Sequence, residues 1–304
     1  MKKTTMLRKL LKEPGLLKVP CAYDCLTARC AEAVGFKAVF MTGAGIRDAQ
    51  LGLPDIGLAT ATEVVNITRY MANSVSIPLI VDTDDGFGAL LAAYRTTQEI
   101  IRAGAAGMFI SDRKPFILAT DPHALVEVLP RDEYLGKIGA VLEARNKEDK
   151  DFIIVARIDS GAHLGDEEVL VRAKACVELG VDVILPHFRP PESKFGERNK
   201  ITLKKLYRMI GAPEVLIWGM GPADFTAKDY EDIGAKMWVT GNSNIVAAEA
   251  VLDFYQGFYD TGVIRIQTFQ SYRGKGPSGE YLRKLKGLDF WGEVEKRNTS
   301  RSRV

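Results

Sequence analysis

Residues 100–112 read IIRAGAAGMFISD, a helical stretch that stops at Gly104 and an apolar run that closes on Ser111 and Asp112. Glycine in that position suits the left-handed residue that ends a helix, and the run after it has the composition of a strand buried on both faces. The same joint recurs as AEAVGFKAVFMTG at 31–43, CVELGVDVILPH at 176–187 and YEDIGAKMWVTG at 230–241, with Gly35, Gly180 and Gly234 at the helix ends. Working outward, LKVPCAYD (17–24), SIPLIVDTD (76–84), DFIIVARID (151–159) and EVLIWGMG (214–221) bring the expected strands to eight. Helical patterns such as TEVVNITRYMANS (62–74) and DEEVLVRAKACVELG (166–180) lie between them. Eight strands alternating with helices over about 250 residues is the arithmetic of an α/β fold of the (β/α)₈ TIM-barrel type.

The competing architecture is a doubly wound sheet, and its candidate is VFMTGAGIRDAQLG at 39–52. Gly43 and Gly45 follow a strand as in a dinucleotide fingerprint, but Asp48 stands where a third glycine is needed. The following LGLPDIG reads as loop rather than helix, so no nicotinamide site is expected. Residues 1–304 read as a single barrel domain, in which 246–304 supply the last barrel helix and a C-terminal helical extension. That extension includes GEYLRKLKGLDFWGEVEKR at 279–297, whose Phe290 and Trp291 need a surface to cover.

Composition narrows the class. A chain of 304 residues with 46% hydrophobic content buries a large core, and 41 basic against 39 acidic residues leave a net charge of +2. Neither a nucleic-acid partner nor a membrane partner is expected from that balance. No apolar run approaches the roughly 20 residues of a membrane span. The opening MKKTTMLRKLLKEPG lacks a signal-peptide core and reads as a short amphipathic lead-in helix, so a cytoplasmic protein is expected. Cys21, Cys25, Cys30 and Cys176 form no CxxC pair and have no histidine nearby, which favours plain thiols over a metal site.

Barrel chemistry sits where strands end, and the ends here are polar: Tyr23 and Asp24, Thr42 and Gly43, Asp82 and Asp84, Ser111 and Asp112, Arg157 and Asp159, His187 and, further on, Asn242. Three carboxylates crowd VDTDDGFGAL (81–90) directly after an apolar run, a costly arrangement unless a cation, a ligand or dense hydrogen bonding meets them. Strand alternation puts Asp82 and Asp84 on one side and Thr83 on the other. Such a pair fits a hard divalent cation held largely through water. An EF-hand is excluded, because Ala93 stands where that loop needs a bidentate Glu.

Over nearly its full length the chain resembles the isocitrate lyase / phosphoenolpyruvate mutase superfamily. The stretches that carry the resemblance are VPCAYDCLTARCAEAVGFKAVFMTGAG, LGLPDIGLAT, IPLIVDTDDGFG, RAGAAGMFISD, GKIGAVLEAR, VARIDS and RAKACVELGVDVILPH. The family pattern after strand three is close to D-x-D-x-G-[YF]-G, filled here by Asp82, Asp84, Gly86, Phe87 and Gly88. The resemblance implies that Asp82 and Asp84 hold Mg²⁺, with Mn²⁺ as the alternative ion, that Asp55 joins through water, and that Asp112 is the carboxylate remaining on strand four. It implies that the backbone of Thr42, Gly43 and Ala44 binds a substrate carboxylate beside Tyr23, and that Arg157 pairs with the same 2-oxo-acid unit. It also implies a homotetramer built by exchange of a C-terminal helix.

Two departures stand out. Family members usually show Glu-Asp after strand four, where this chain has Ser111-Asp112. The gating loop, DRKPFILATDPHALVEVLPRDEY at 112–134, carries neither the K-[KR]-C-G-H motif of the lyases nor the K-x-N-S motif of the mutases. Lys114 and His123 are its obvious proton carriers. His187 stands where lyases tend to carry Glu and phosphonate-handling members His. The leading expectation is a Mg²⁺-dependent lyase that acts on a small 2-oxo or 2-hydroxy carboxylate through an enolate, by C–C cleavage or decarboxylation. A mutase or hydrolase acting on a P–C bond and a non-catalytic carboxylate-binding relative are the alternatives.

Overall fold

The computed structural model describes residues 1–114, 127–188, 200–211, 216–218, 226–240, 243–263, 285 and 287–299. Two compact units divide it, Met1–Asn242 and Ser243–Val304. In the first, the described elements run α1 (Lys3–Lys12), β1 (Leu17–Ala22), α2 (Cys25–Val34), β2 (Val39–Met41), α3 (Gly43–Ile46), a π-helical turn (Arg47–Leu51), α4 (Ala61–Ser74), β3 (Leu79–Asp82), α5 (Leu90–Arg102), β4 (Gly107–Ser111), α6 (Arg131–Glu148), β5 (Ile153–Ile158), α7 (Gly161–Leu164), α8 (Asp166–Leu179), β6 (Val183–Pro186), α9 (Lys200–Ile210), β7 (Leu216–Trp218), α10 (Ala227–Ile233) and β8 (Met237–Thr240). The second unit holds α11 (Ser243–Thr261) and α12 (Leu288–Thr299).

The expected joints form as the sequence implies. Gly35, Gly104, Gly180 and Gly234 all have φ between 97° and 104°, the left-handed conformation that ends a helix and turns the chain into the next strand. Every described strand pairing is parallel, and the sheet runs β6-β5-β4-β3-β2-β1-β8-β7. That order is a ring of eight opened between β6 and β7, because β1 pairs with both β2 and β8. The fold is therefore α/β with a curled, wholly parallel sheet.

Alternation sorts the strand side chains into two layers. Val19, Cys21, Phe40, Ile80, Phe109, Ile153, Val155, Val183, Leu185, Met237 and Val239 share one buried cluster inside the curl, and the opposite faces meet the helices. Members from β6 and from β8 belong to the same inner cluster, as side chains around a common axis do. Leu7 and Leu11 of α1 join it, so the lead-in helix plugs the N-terminal end of the strands. The C-terminal ends are left for polar residues.

After β2 the stretch LGLPDIG is non-helical beyond Leu51, as expected, and ahead of it Thr42 starts a short helix by accepting a hydrogen bond from Gly45 N at 3.5 Å. That helix passes into the π-helical turn and stops at Gly52, φ 64°. Two glycines early in a segment lower its apparent helix propensity, and a polar cap overrides them.

Candidate active site

The carboxylate-rich turn after β3 is built from two kinds of aspartate. Asp85 is buried and structural: its oxygens accept from Phe87 N at 3.1 Å and Gly88 N at 3.3 Å, and the buried Lys137 ammonium donates to it at 3.3 Å. Gly86, at φ 88°, must be glycine, since a Cβ there would stand 2.8 Å from Ala93 Cβ and 2.9 Å from Ile110 Cδ1. Asp82 and Asp84 line the same cavity as Asp85, with fewer protein donors on their oxygens. They share a side, but not through strand alternation: the strand ends at Asp82, and Asp84 turns back at φ 47° with its amide donating to Asp82 Oδ1 at 3.1 Å. Burial and the neighbouring Asp82 push the Asp84 carboxyl up to about 7, although Arg47 pulls the other way.

Arg47 faces this pair from the π-helical turn. It is 1% exposed, donates to Asp55 Oδ1 at 2.8 Å and forms an ion pair with Asp84. Gly43 permits the approach: a Cβ there would meet Arg47 Nη1 at 2.6 Å and Asp82 Oδ2 at 3.1 Å.

On the other side, the ends of β4 and β5 form a basic cluster around one acid. Asp159 is buried, forms ion pairs with Arg157 at 2.9 Å and Arg113 at 3.0 Å, and accepts hydrogen bonds from Arg113 Nη2 at 3.1 Å and the Ser111 hydroxyl at 2.8 Å. Burial opposes its ionisation, but Arg157, His187 and Arg113 hold its carboxyl far below the usual range. Burial likewise works against the Arg157 charge, and Asp159, Asp82 and Asp84 outweigh it. Thr42, Ala44, Asp55, Asp82, Asp84, Arg113, Lys114 and Arg157 are all among the residues lining a cavity of about 690 Å³.

The cavity at the strand ends thus has carboxylates on one wall and guanidinium groups on the other. The chain matches the family described as Phosphoenolpyruvate phosphomutase over residues 7–255. It belongs to that family. It is similar to the 2,3-dimethylmalate lyase of Eubacterium barkeri, 34% identical over 252 residues that cover 82% of this chain and 83% of the relative. Oxaloacetate acetylhydrolase, solved with the inhibitor 3,3-difluorooxalacetate, matches it with a TM-score of 0.84 at 27% identity, covering 98% and 97% of the two chains. Phosphonopyruvate hydrolase, solved with oxalate and Mg²⁺, matches with a TM-score of 0.83 at 26% identity, covering 98% and 99%. The chain is an enzyme of the isocitrate lyase / phosphoenolpyruvate mutase superfamily.

Within this phosphomutase-family site, the expected residues separate into three groups. Thr42, Ala44, Asp55, Asp82, Asp84, Lys114 and Arg157 come together at the cavity, and Gly43 lies against Asp82 just behind it. Asp112 is not among the residues that line the cavity. It is fully buried, with Oδ1 accepting from Asp159 N at 2.7 Å and Oδ2 paired to the buried Arg172 at 3.2 Å. Tyr23 is half-buried at the end of β1 and His187 stands at the end of β6, with Nε2 3.9 Å from Asp159 Oδ1; neither is among the cavity-lining residues. Lys114 is paired with Glu127 at 2.7 Å, and His123 lies outside the described residues.

The carboxylates suit a hard cation by chemistry. Among the described residues no three side chains converge as a full chelate, but Mg²⁺ commonly keeps several waters and takes only one or two carboxylates. Asp82 and Asp84 at one cavity, with Asp55 joined to Asp84 through Arg47, fit an ion held in that way. Sequence reading misses Arg47 and Arg113. Arg47 lies in a segment weighed only as a dinucleotide fingerprint, and Arg113 follows the Ser111-Asp112 pair that draws attention to itself. A guanidinium beside an acidic strand end is the available signal for Arg113 alone.

Proposed function

We propose that this enzyme is a lyase that cleaves a carbon–carbon bond in a small 2-oxo or 2-hydroxy carboxylate, with the fragment released through its enolate. The observation that carries this reading is the sharing of one cavity by Asp82, Asp84 and Arg157. Arg157, anchored by Asp159, pairs with the substrate carboxylate, and the first amides of α3 at Gly43 and Ala44, which have no partner within the helix, donate to it. In a 2-hydroxy acid the hydroxyl loses its proton to a base or water and becomes the carbonyl of a released 2-oxo acid, while the C–C electron pair passes to the other fragment as its enolate. In a 2-oxo acid the carboxylate leaves as carbon dioxide. The cationic wall of Arg113 and Arg157 stabilises the negative charge as it develops. Lys114 is the described residue suited to carry the proton that completes release, with His123, outside the described residues, as its alternative. Asp82 and Asp84, with Asp55 through water, would hold Mg²⁺ or Mn²⁺, which supplies charge to polarise the substrate carbonyl and carboxylate. Tyr23 and His187 are left as residues bordering the substrate rather than gripping it.

Relatives of this chain include a 2,3-dimethylmalate lyase and an oxaloacetate acetylhydrolase, which support carbon–carbon chemistry. The test is turnover with Mg²⁺ of oxaloacetate, 2-methylisocitrate, other 2-alkylmalates and phosphonopyruvate, followed by NMR. Cleavage of a carbon substrate is expected. Turnover of phosphonopyruvate alone would transfer the enzyme to P–C chemistry, and binding of oxalate with no turnover of any compound would make it a binding protein.

The reading extends to assembly. The ring order of the strands supports closure of β6 on β7 into a (β/α)₈ barrel. Exposed Val246, Leu252, Tyr255 and Tyr259 on α11, with Phe290 and Trp291 on α12, support a homotetramer in which residues 246–304 reach a neighbouring subunit. Truncation before Gly276 that left the oligomer intact in light scattering would refute the exchange. The balanced charge and the absence of a membrane-length helix among the described residues are compatible with the cytoplasmic setting proposed here.

A further inference from the structure

We propose that Arg47 is a resident counter-cation of the carboxylate wall, competing with a divalent ion for Asp55 and Asp84 and so setting the affinity of the free enzyme for metal. The inference rests on the metal reading given above and adds a residue to it. Arg47 stands in the π-helical turn after α3, and its guanidinium reaches Asp55 Oδ1 at 2.8 Å while pairing with Asp84. With Asp82 pressed against the same Gly43 backbone, the guanidinium meets the group of carboxylates that a cation would seek. Three carboxylates and one guanidinium leave this wall negative, so it can still draw a cation, but any newcomer must share oxygens that Arg47 already uses.

The rest of the side chain is consistent with a group that can let go. Arg47 is 1% exposed, yet its Nε has no hydrogen-bond partner. The guanidinium is thus held from its Nη side, by the two acids in dispute. Asp55 is half open to solvent and Asp84 a third open, so water can take over at their oxygens when the guanidinium moves. A planar fork of donors and a spherical ion satisfy carboxylates differently, and two cations at one short distance repel. Occupancy by one therefore lowers occupancy by the other.

The experiment is Mn²⁺ binding followed by electron paramagnetic resonance on the full-length protein, comparing the native enzyme with Arg47→Met and Arg47→Lys. Arg47→Met is expected to bind Mn²⁺ at least tenfold more tightly than the native protein, and Arg47→Lys, which keeps the charge, to stay within about threefold of it. If Arg47→Met becomes folded by circular dichroism only when Mn²⁺ is added, the ion has replaced the guanidinium and the proposal stands. Should that variant not fold under either condition, Arg47→Gln, neutral and still hydrogen-bonding, provides the same comparison. Equal Mn²⁺ affinity in native and neutral variants would overturn the role of Arg47 and leave the metal reading intact. No Mn²⁺ binding by any of them at millimolar concentration would overturn both.

Discussion

Two acidic clusters sit at neighbouring strand ends and have opposite fates. After β3, Asp82 and Asp84 face a cavity, crowd one another and rely on Arg47 for compensation. After β4, Asp112 is sealed: a backbone amide takes one oxygen and the buried Arg172 the other. Asp85, although it lies in the first cluster, behaves like the second, with two backbone amides and Lys137 upon it. What separates a carboxylate with oxygens to spare from a sealed one here is the number of donors the fold already supplies. Position at a strand end does not decide it.

The widest contrast should appear when one carboxylate of each kind is neutralised. Asp82→Asn is expected to cut turnover by about 10³-fold with little change in stability, since removing one of several crowded charges relieves repulsion. Asp112→Ala should leave Arg172 buried without its partner and cost about 3–5 kcal/mol in urea unfolding, with activity following the folded fraction. Normal turnover by Asp82→Asn at low Mg²⁺ would erase the distinction. A smaller effect is expected at the basic wall. Arg157→Lys keeps the charge but loses the fork, and calorimetry with oxalate should show affinity weaker by at least tenfold, about 1.4 kcal/mol. Unchanged oxalate affinity would remove Arg157 from the substrate.

Much of this contrast is legible in the amino-acid sequence. The glycine-then-apolar joint at Gly35, Gly104, Gly180 and Gly234 reports a local backbone requirement, and local requirements survive in sequence. The Asp82–Asp84 pair is legible for the same reason, although the φ of 47° at Asp84 shows that a turn rather than strand alternation aligns it. The roles of Arg47 and Asp112 are not legible, because they depend on partners far away in sequence. Arg47 meets Asp84 from a neighbouring strand end, and Asp112 meets Arg172 from α8, 60 residues on. A residue type at a strand end states which chemistry is available; only the fold states whether a partner has already consumed it.

His187 tests the boundary between the two kinds of site by pH. Burial lowers its imidazole from 6.5 to about 4, against the pull of Asp159. Between those values the unfolded chain binds a proton that the native protein does not, so stability is full above pH 6.5 and falls as the pH drops toward 4. With its ring a third exposed, the loss on going from about pH 7 to about pH 5 should be on the order of 1 kcal/mol, and His187→Asn should remove it. Urea midpoints at the two pH values measure the difference. An identical pH slope in both proteins would mean that His187 is solvated and outside the Asp159 cluster.

The smallest effect should come from the cysteines, one of which borders each acidic cluster. Cys21 lies in β1 and Cys176 in α8; burial pushes both thiols up to about 12, assisted by Asp82 at the first and countered by a Tyr134 hydrogen bond at the second. A thiol with that value is ionised in only about one molecule in 10⁴ to 10⁵ near neutrality, too rarely to serve as a nucleophile or base. Cys25 and Cys30 sit on α2, away from the residues that line the cavity. Replacing all four by alanine or serine should therefore leave kcat within about twofold on whichever substrate turns over, with a stability cost of about 1 kcal/mol for each buried site. Loss of activity traced to Cys21 in a folded variant would make the open cluster a thiol-assisted one. Loss in Lys114→Ala with the cysteines intact would instead put the proton carrier at Lys114, on the wall of the cavity that Asp82 and Asp84 share.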